Sequence, residues 1–282
     1  MNRDPLRTAL QELARELAPA NITLVVGGGY GLLLRAQHTH QSNLRTRSPN
    51  IPPTRATEDI DCFLRRETIT DATRMAAIRN ALGRLGYNPK VPNFQFERSV
   101  SSDEASMTVK VDLLAASVEP PLDQMVHVHA MRIRARGFSG LHAYLTPEAF
   151  AIEEDHLALD ISDDASSLMV HIPHPFAFLA LKIMALHDRI AGEGKYHALD
   201  VFTIWSTLTE SEWDAAVRMR EKYSRHEVMG KVRDATQALF GAATAPGVLA
   251  LKDQGRRQEI EIQTAVAEAF RGDVIALMIG SA

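Results

Sequence analysis

The chain has 282 residues, 45% hydrophobic and 23% charged, enough for one large domain or two modest ones with a real core, and too apolar for wholesale disorder. Thirty-one basic against thirty-five acidic residues leave a formal charge of −4, so nucleic-acid binding, if present, has to use a local patch. A single cysteine, Cys62, excludes a disulfide scaffold and a thiolate zinc site and suits a reducing compartment.

Arg3, Asp4, Arg7 and Glu12 interrupt any apolar leader, and no apolar run reaches the roughly 20 residues that span a bilayer, so a cytoplasmic protein with no membrane partner is expected. Over residues 4–17, Leu6, Leu10, Leu13 and Leu17 recur at helical spacing with charges between them, which predicts an amphipathic helix. Residues 22–26 are a short apolar run ending in Gly27, Gly28 and Gly29, and 30–36 regain helical character, so the order is strand, glycine turn, helix. Residues 37–55 hold Pro49, Pro52, Pro53, Arg45, Arg47 and Arg55 and no acid, and read as a mobile basic loop. Residues 59–64 alternate, which puts Asp59 and Asp61 on one face of a strand. Thr70 or Asp71 caps a helix to about residue 85, stopped by Gly86. Further strands are expected at 94–100, at 107–114 with Lys110 and Asp112 on one face, at 126–136 and at 168–172. Helical patterns follow at 176–189, 196–208, 211–225, 228–240 and 255–270. The expected organisation is a mixed α/β domain at 1–172 and a helical domain at 173–282.

Three features belong together: the glycine turn, the Asp59-x-Asp61 pair and Asp112 on a later strand. Two carboxylates two residues apart on a strand point the same way, and a third from a neighbouring strand completes a set of hard oxygen ligands suited to Mg²⁺. Two such ions about 4 Å apart activate an attacking hydroxyl and neutralise a leaving pyrophosphate. A glycine turn before a helix offers N–H groups and a helix N-terminus to a triphosphate, with no Cβ to hold the phosphates away. Taken singly, a glycine run is usually only a turn and an Asp-x-Asp pair only a solvated face. Here Ile60, Cys62 and Phe63 make the strand half-buried, where a cation offsets the like charges.

Gly27-Gly28-Gly29 opening a helix, Arg55-x-Thr57-x-Asp59-Ile60-Asp61 and Val111-Asp112-Leu113-Leu114 resemble the nucleotidyltransferase superfamily that includes DNA polymerase β. Downstream, Pro175-Phe176, the run from Leu181 through Lys182 to His187, Asp188 and Arg189, then Lys195 and Leu199-Asp200-Val201 are similar to the AbiEii branch, the toxins of abortive-infection toxin–antitoxin pairs. The resemblance covers residues 22–205 and implies an α/β (α+β) nucleotidyltransferase fold: a mixed sheet with flanking helices, then a C-terminal helical domain closing over the triphosphate. It implies Asp59 and Asp61 as metal ligands, Gly27, Gly28 and Gly29 as triphosphate cradle, and Lys182 and Asp200 as further catalytic residues. Asp112 is expected as the third metal carboxylate and general base, Arg55 and Thr57 are expected at the nucleotide, and Arg189 and Lys195 are expected either to add to the neutralisation of the triphosphate or to anchor RNA. The implied cofactor is Mg²⁺ or Mn²⁺, the donor an NTP, the acceptor RNA such as a tRNA 3′ end, and the further partner a cognate antitoxin protein. Two departures stand out: a longer gap between Gly28 and Asp59, with the excess in the basic loop, and Tyr30 where the family has a small residue. Tyr30 is read as a core aromatic, with base stacking as the alternative.

The pairs His38 and His40, His127 and His129, and His171 and His174 lack the spacing of a helical zinc site and are read as structural or exposed. Arg220 and His226 match the loose Arg–His spacing of HEPN ribonucleases, in a helix charged enough for a chance match. The acidic run from Glu148 to Asp164 reads as a solvated face, Lys182 alternatively as a lysine snorkelling at the core edge, and Trp205 and Trp213 as packing residues. Arg45, Arg47, Arg55, Arg132, Arg134 and Arg136 are the candidate phosphate contacts for RNA. Two other functions fit the same fold: a small-molecule nucleotidyltransferase of the aminoglycoside type, and a non-catalytic NTP-binding module.

Overall fold

The computed structural model describes residues 4–48, 50–54, 57–91, 93–101, 106–163 and 167–280. Its contacts divide the chain into two units, Met1–Gly31 with Arg55–Pro173, and Leu32–Thr54 with His174–Ala282.

The first unit opens with α1 (Pro5–Leu17), whose N-cap Asp4 accepts a hydrogen bond from the Leu6 N–H and whose leucines 6, 10, 13 and 17 are all buried. There follow β1 (Val25–Val26), the first turn of α2 (Gly28–Gln41), β2 (Asp59–Phe63), α3 (Arg66–Ile69) and α4 (Ala72–Arg84). Asp71 caps α4 by accepting from the N–H groups of Thr73 and Arg74, and Gly86, at φ +76°, turns the chain out of it. The remaining elements are β3 (Asn88–Val91), β4 (Gln95–Ser101), β5 (Ser106–Ala115), β6 (Val126–His129), β7 (Arg132–Ala135), β8 (Ala143–Leu145), β9 (Leu157–Asp160) and β10 (Met169–Ile172).

These strands form one mixed sheet in the order β6-β7-β8-β5-β2-β1-β10-β9, with β4 on β5 and β3 on β4. The long strand β5 is its hub. One edge of it pairs in parallel with β2, and the other is shared between antiparallel β4 and parallel β8. Ile60 and Cys62 of β2 and Val109, Val111 and Leu113 of β5 are fully buried on one face, against which α1 packs. The pleat therefore turns Asp59, Asp61, Lys110 and Asp112 to the opposite face.

Two expectations for this unit change. The alternating segment 126–136 is a hairpin, not one strand: β6 and β7 pair across Ala130 and Met131, both at positive φ, the geometry of a two-residue hairpin turn. Alternation continues through so short a turn, so periodicity alone does not reveal it. The run 22–26 contributes only two residues of strand, and β3, β8 and β9 carry too few residues to show a period.

The second unit contains α5 (Pro175–Arg189), α6 (His197–Ser206), α7 (Glu210–Lys222), α8 (Glu227–Phe240), α9 (Pro246–Arg257) and α10 (Thr264–Met278). Its core includes a cluster of rings, with Phe270 edge-on to Phe202, Trp205 and Phe240. The expected helix 255–270 is instead the end of α9 and the start of α10, separated at Glu259, whose φ is +57°. Among the described residues no helix is long and apolar enough to cross a membrane.

The stretch expected as a mobile basic loop within the first domain belongs to this second unit. Its first residues continue α2 to Gln41. Arg35, 2% exposed, explains the attachment: its guanidinium donates to Thr207 and, at 2.7 Å, to Glu212. Beyond the helix, Thr46 bridges to Thr209, the Arg47 N–H donates to Leu208, and the Arg47 guanidinium lies 4.0 Å from the centre of the Trp213 ring. Proline and polar content signalled irregular backbone correctly but says nothing about tertiary contacts.

Candidate functional site

The site grows from β1, β2 and β5. The Gly27 N–H donates to the carbonyl of Asp61 at 2.8 Å, which fixes the start of α2 against β2. Gly28 has φ +61°, and a Cβ there would lie 1.8 Å from Oδ2 of Asp61. Glycine is therefore required twice, by the left-handed backbone and by the carboxylate against it. A Cβ on Gly27 would meet the Phe63 ring at 2.5 Å, so the turn as a whole is in direct contact with β2. The first intrahelical bond of α2 runs from the Gly31 N–H to the Gly27 carbonyl at 2.7 Å. The N–H groups of Gly28, Gly29 and Tyr30 thus belong to the first turn, where a helix has no partners of its own for them.

Asp61 and Asp112 are direct partners in the β2–β5 ladder, and Asp59 pairs with Lys110 two residues along the same face. Each outer carboxylate has a side-chain donor. Thr57 Oγ1 donates to Asp59 Oδ1. Gln95, opposite Asp112 on β4, donates through Nε2 to Oδ1 at 2.9 Å and Oδ2 at 3.1 Å. Burial raises the pKa of Asp112, the Gln95 hydrogen bond opposes that rise, and the Asp59 charge adds to it. Beneath this face Cys62 is fully buried, and desolvation followed by the Asp61 and Asp112 charges pushes its thiol far up, so it is a neutral core residue.

Three carboxylates on adjacent strands are the donor set a hard divalent cation takes. Thr57 and Gln95 hold two of them, and among the described residues no group of three His, Cys, Asp or Glu is arranged to hold a metal. The fit is one of donor type and strand position. Gln95 carries no sequence signal of its own, since only the β4–β5 register sets it opposite Asp112.

Arg55 lies outside the described residues, as do Pro49 and Asp164. Tyr30 is a core residue whose hydroxyl donates to Asp4 at 3.0 Å, which removes it as a stacking platform. In the helical unit Lys182 and Asp200, 7% and 4% exposed, form an ion pair at 2.7 Å, with His197 Nδ1 at 3.3 Å from the same oxygen. Burial lowers the His197 pKa, the Asp200 hydrogen bond opposes this, and Lys182 adds to the lowering. Lys182 is thus buried and paired, not snorkelling. Arg189 ends α5 and Lys195 lines an open groove of about 1060 Å³ beside α9. Arg220 donates to the Ala276 carbonyl and His226 caps α8 by accepting from Val228, structural roles for both. His174 likewise caps α5, while His171 stacks on His156 at 3.7 Å, with its pKa lowered to about 4 chiefly by burial.

No family model matches the chain, and no curated protein matches it significantly. Two solved structures from Helicobacter pylori are similar over most of its length. JHP933 is 10% identical, with 98% of this chain and 91% of that chain covered and a TM-score of 0.36. The other, provisionally named a nucleotidyltransferase, is 10% identical, with 98% and 94% covered and a TM-score of 0.34. Likeness at these values transfers neither fold nor function.

Proposed function

We propose that this chain is a nucleotidyltransferase that moves a nucleoside monophosphate from an NTP to the hydroxyl of an RNA acceptor, such as a tRNA 3′ end, as the toxin of a toxin–antitoxin pair. The observation that carries the reading is the contact of Gly28 with Asp61, itself in register with Asp112: a glycine cradle and two carboxylates meet on one sheet face. The N–H groups at the start of α2 bind phosphate oxygens of the NTP, and the absent Cβ at Gly28 leaves Asp61 in place beside them. Asp112 accepts the proton of the attacking hydroxyl. Burial makes its carboxylate the better base, while the Gln95 hydrogen bond orients it and opposes the rise. Thr57 orients Asp59 in the same way.

Asp59, Asp61 and Asp112 are the residues that would hold Mg²⁺ or Mn²⁺, which neutralises charge on the phosphates when bound. Lys182 and Asp200 enter this reading as one buried ion pair that fixes α5 against α6, a positioning role. The aminoglycoside alternative needs an acidic acceptor pocket, whereas β6 and β7 put Arg132, Arg134, His127 and His129 on the face continuous with Asp112. The test is to incubate the protein with each NTP and total tRNA, aminoglycosides, or no acceptor, and follow pyrophosphate release together with labelled product. Label on tRNA supports the reading. Label only on a drug, or NTP binding without pyrophosphate release, overturns it.

A further inference from the structure

The solvent face of β6, β7 and β8 concentrates positive charge. Cross-strand register pairs His127 with Arg134, His129 with Arg132, and Arg132 with Tyr144. His142, two residues before Tyr144, shares the same face by the strand alternation. His127, His129, Arg132, Arg134 and His142 line a cavity of about 290 Å³, on the order of ten times the ~30 Å³ that one water occupies in the liquid. Among the described residues no carboxylate pairs with Arg132 or Arg134. The Arg134 guanidinium is instead aimed by the carbonyls of Phe138, at 2.9 Å, and Ala135, at 3.4 Å. Nδ1 of His142 is buried without a hydrogen-bond partner. Arg132 and Arg134, two residues apart on one face of β7, thus bring two guanidinium charges to one cavity, and a bound anion offsets their mutual repulsion.

The pocket adjoins the carboxylate site. Tyr144 of β8 is opposite Leu114, two residues beyond Asp112 on β5, and the His142 N–H donates to Asn93, two residues before Gln95. With strands spaced about 4.8 Å, Arg132 is about 10 Å across the sheet from β5. The Tyr144 ring, 40% exposed, packs on Phe94 at 5.6 Å and gives the pocket an aromatic border on the side toward β4 and β5.

We propose that His127, His129, Arg132, Arg134 and His142 form a phosphate-binding pocket that takes a backbone phosphate of the acceptor strand. The inference rests on the transferase reading for the word acceptor, and on the cavity alone for the phosphate. Two arginines provide permanent charge and planar donor pairs, and the imidazoles add donors as they protonate. Burial and the charges of Arg134, Arg132 and His127 lower the His142 pKa, in that order, and an anion in the pocket reverses the charge effect.

The test is histidine side-chain NMR of the full chain titrated with inorganic phosphate, together with fluorescence polarisation of a labelled ten-nucleotide single-stranded RNA, both without NTP. Phosphate should shift His127, His129 and His142 and raise the His142 pKa, while His38 and His40 stay still. The double variant Arg132→Gln/Arg134→Gln should weaken RNA binding by about tenfold or more. If that variant loses its folded circular dichroism, His127→Gln/His129→Gln replaces it with the same expectation. Shifts of equal size at His38 and His40, or unchanged RNA affinity in the folded variants, overturn the proposal. Repeating both readouts in Asp59→Asn separates it from the transferase reading, because phosphate and RNA should bind there undiminished even though transfer is gone.

Discussion

Substituting Gly28 by alanine separates backbone strain from damage to the site. At φ +61° the new side chain carries the left-handed penalty of about 1–2 kcal/mol. Its Cβ would also lie 1.8 Å from Asp61 Oδ2 and 2.7 Å from Cγ. The carboxylate oxygen must then withdraw by about 1.7 Å to reach an ordinary separation of ~3.5 Å. Displacement of a catalytic group by about 1 Å is worth on the order of 10²-fold in rate. Gly86→Ala is the matched control: its φ is +76°, but nothing lies within 4 Å of the added Cβ. Both variants should lose stability, by about 2–4 °C in Tm per kcal/mol. Only Gly28→Ala should also lose transfer, by about 10²-fold or more, measured as labelled product from α-labelled NTP. Equal transfer in the two variants would refute the claim that Gly28 is glycine for the sake of Asp61.

The Asp112 pKa is raised on folding, so the folded chain holds that proton more tightly than the unfolded one, and this stabilisation is lost as pH rises through the folded value. Asp112→Asn should therefore raise Tm at pH 7 while abolishing transfer, with the Tm difference vanishing near pH 3; a lower Tm at pH 7 would contradict the sign. Gln95→Leu removes the hydrogen bond that opposes the rise, so the acid limb of the pH–rate profile should move to higher pH, and an unmoved limb would show that Gln95 does not act on Asp112. Lys182→Met leaves Asp200 buried without its ammonium and should cost about 3 kcal/mol or more by urea denaturation. That loss should be smaller at pH 5.5 than at pH 8, because His197, 3.3 Å from the Asp200 carboxylate, is held down chiefly by burial but also by the Lys182 charge, so removing that charge eases its protonation as pH falls. A loss under about 1 kcal/mol would mean that the pair does not hold the helical unit together.

Much of this site was legible because its signals are local. Alternation in 59–63 fixes which face Asp59 and Asp61 share, and three glycines after an apolar run announce a turn before a helix. What the sequence did not contain was register. That Asp61 lies opposite Asp112, that Gln95 reaches both Asp112 oxygens, and that three histidines and two arginines surround one cavity all depend on pairing between strands distant in sequence. The histidine pairs looked unremarkable singly because their partners arrive on β7 and before β8. The helical unit was misread where contacts outweigh composition: a proline-rich stretch joins it through Thr46 and Arg47, and one apparent helix is two.

The most direct measurement is transfer of label from α-³²P NTP, with Mg²⁺, onto RNA by the wild-type chain and by Asp59→Asn and Asp61→Asn, each verified as folded by its Tm. The account predicts labelled RNA and released pyrophosphate from the wild type and neither from the two variants. Transfer that persists in both variants, or a wild-type chain that labels no acceptor with any of the NTPs, would contradict it.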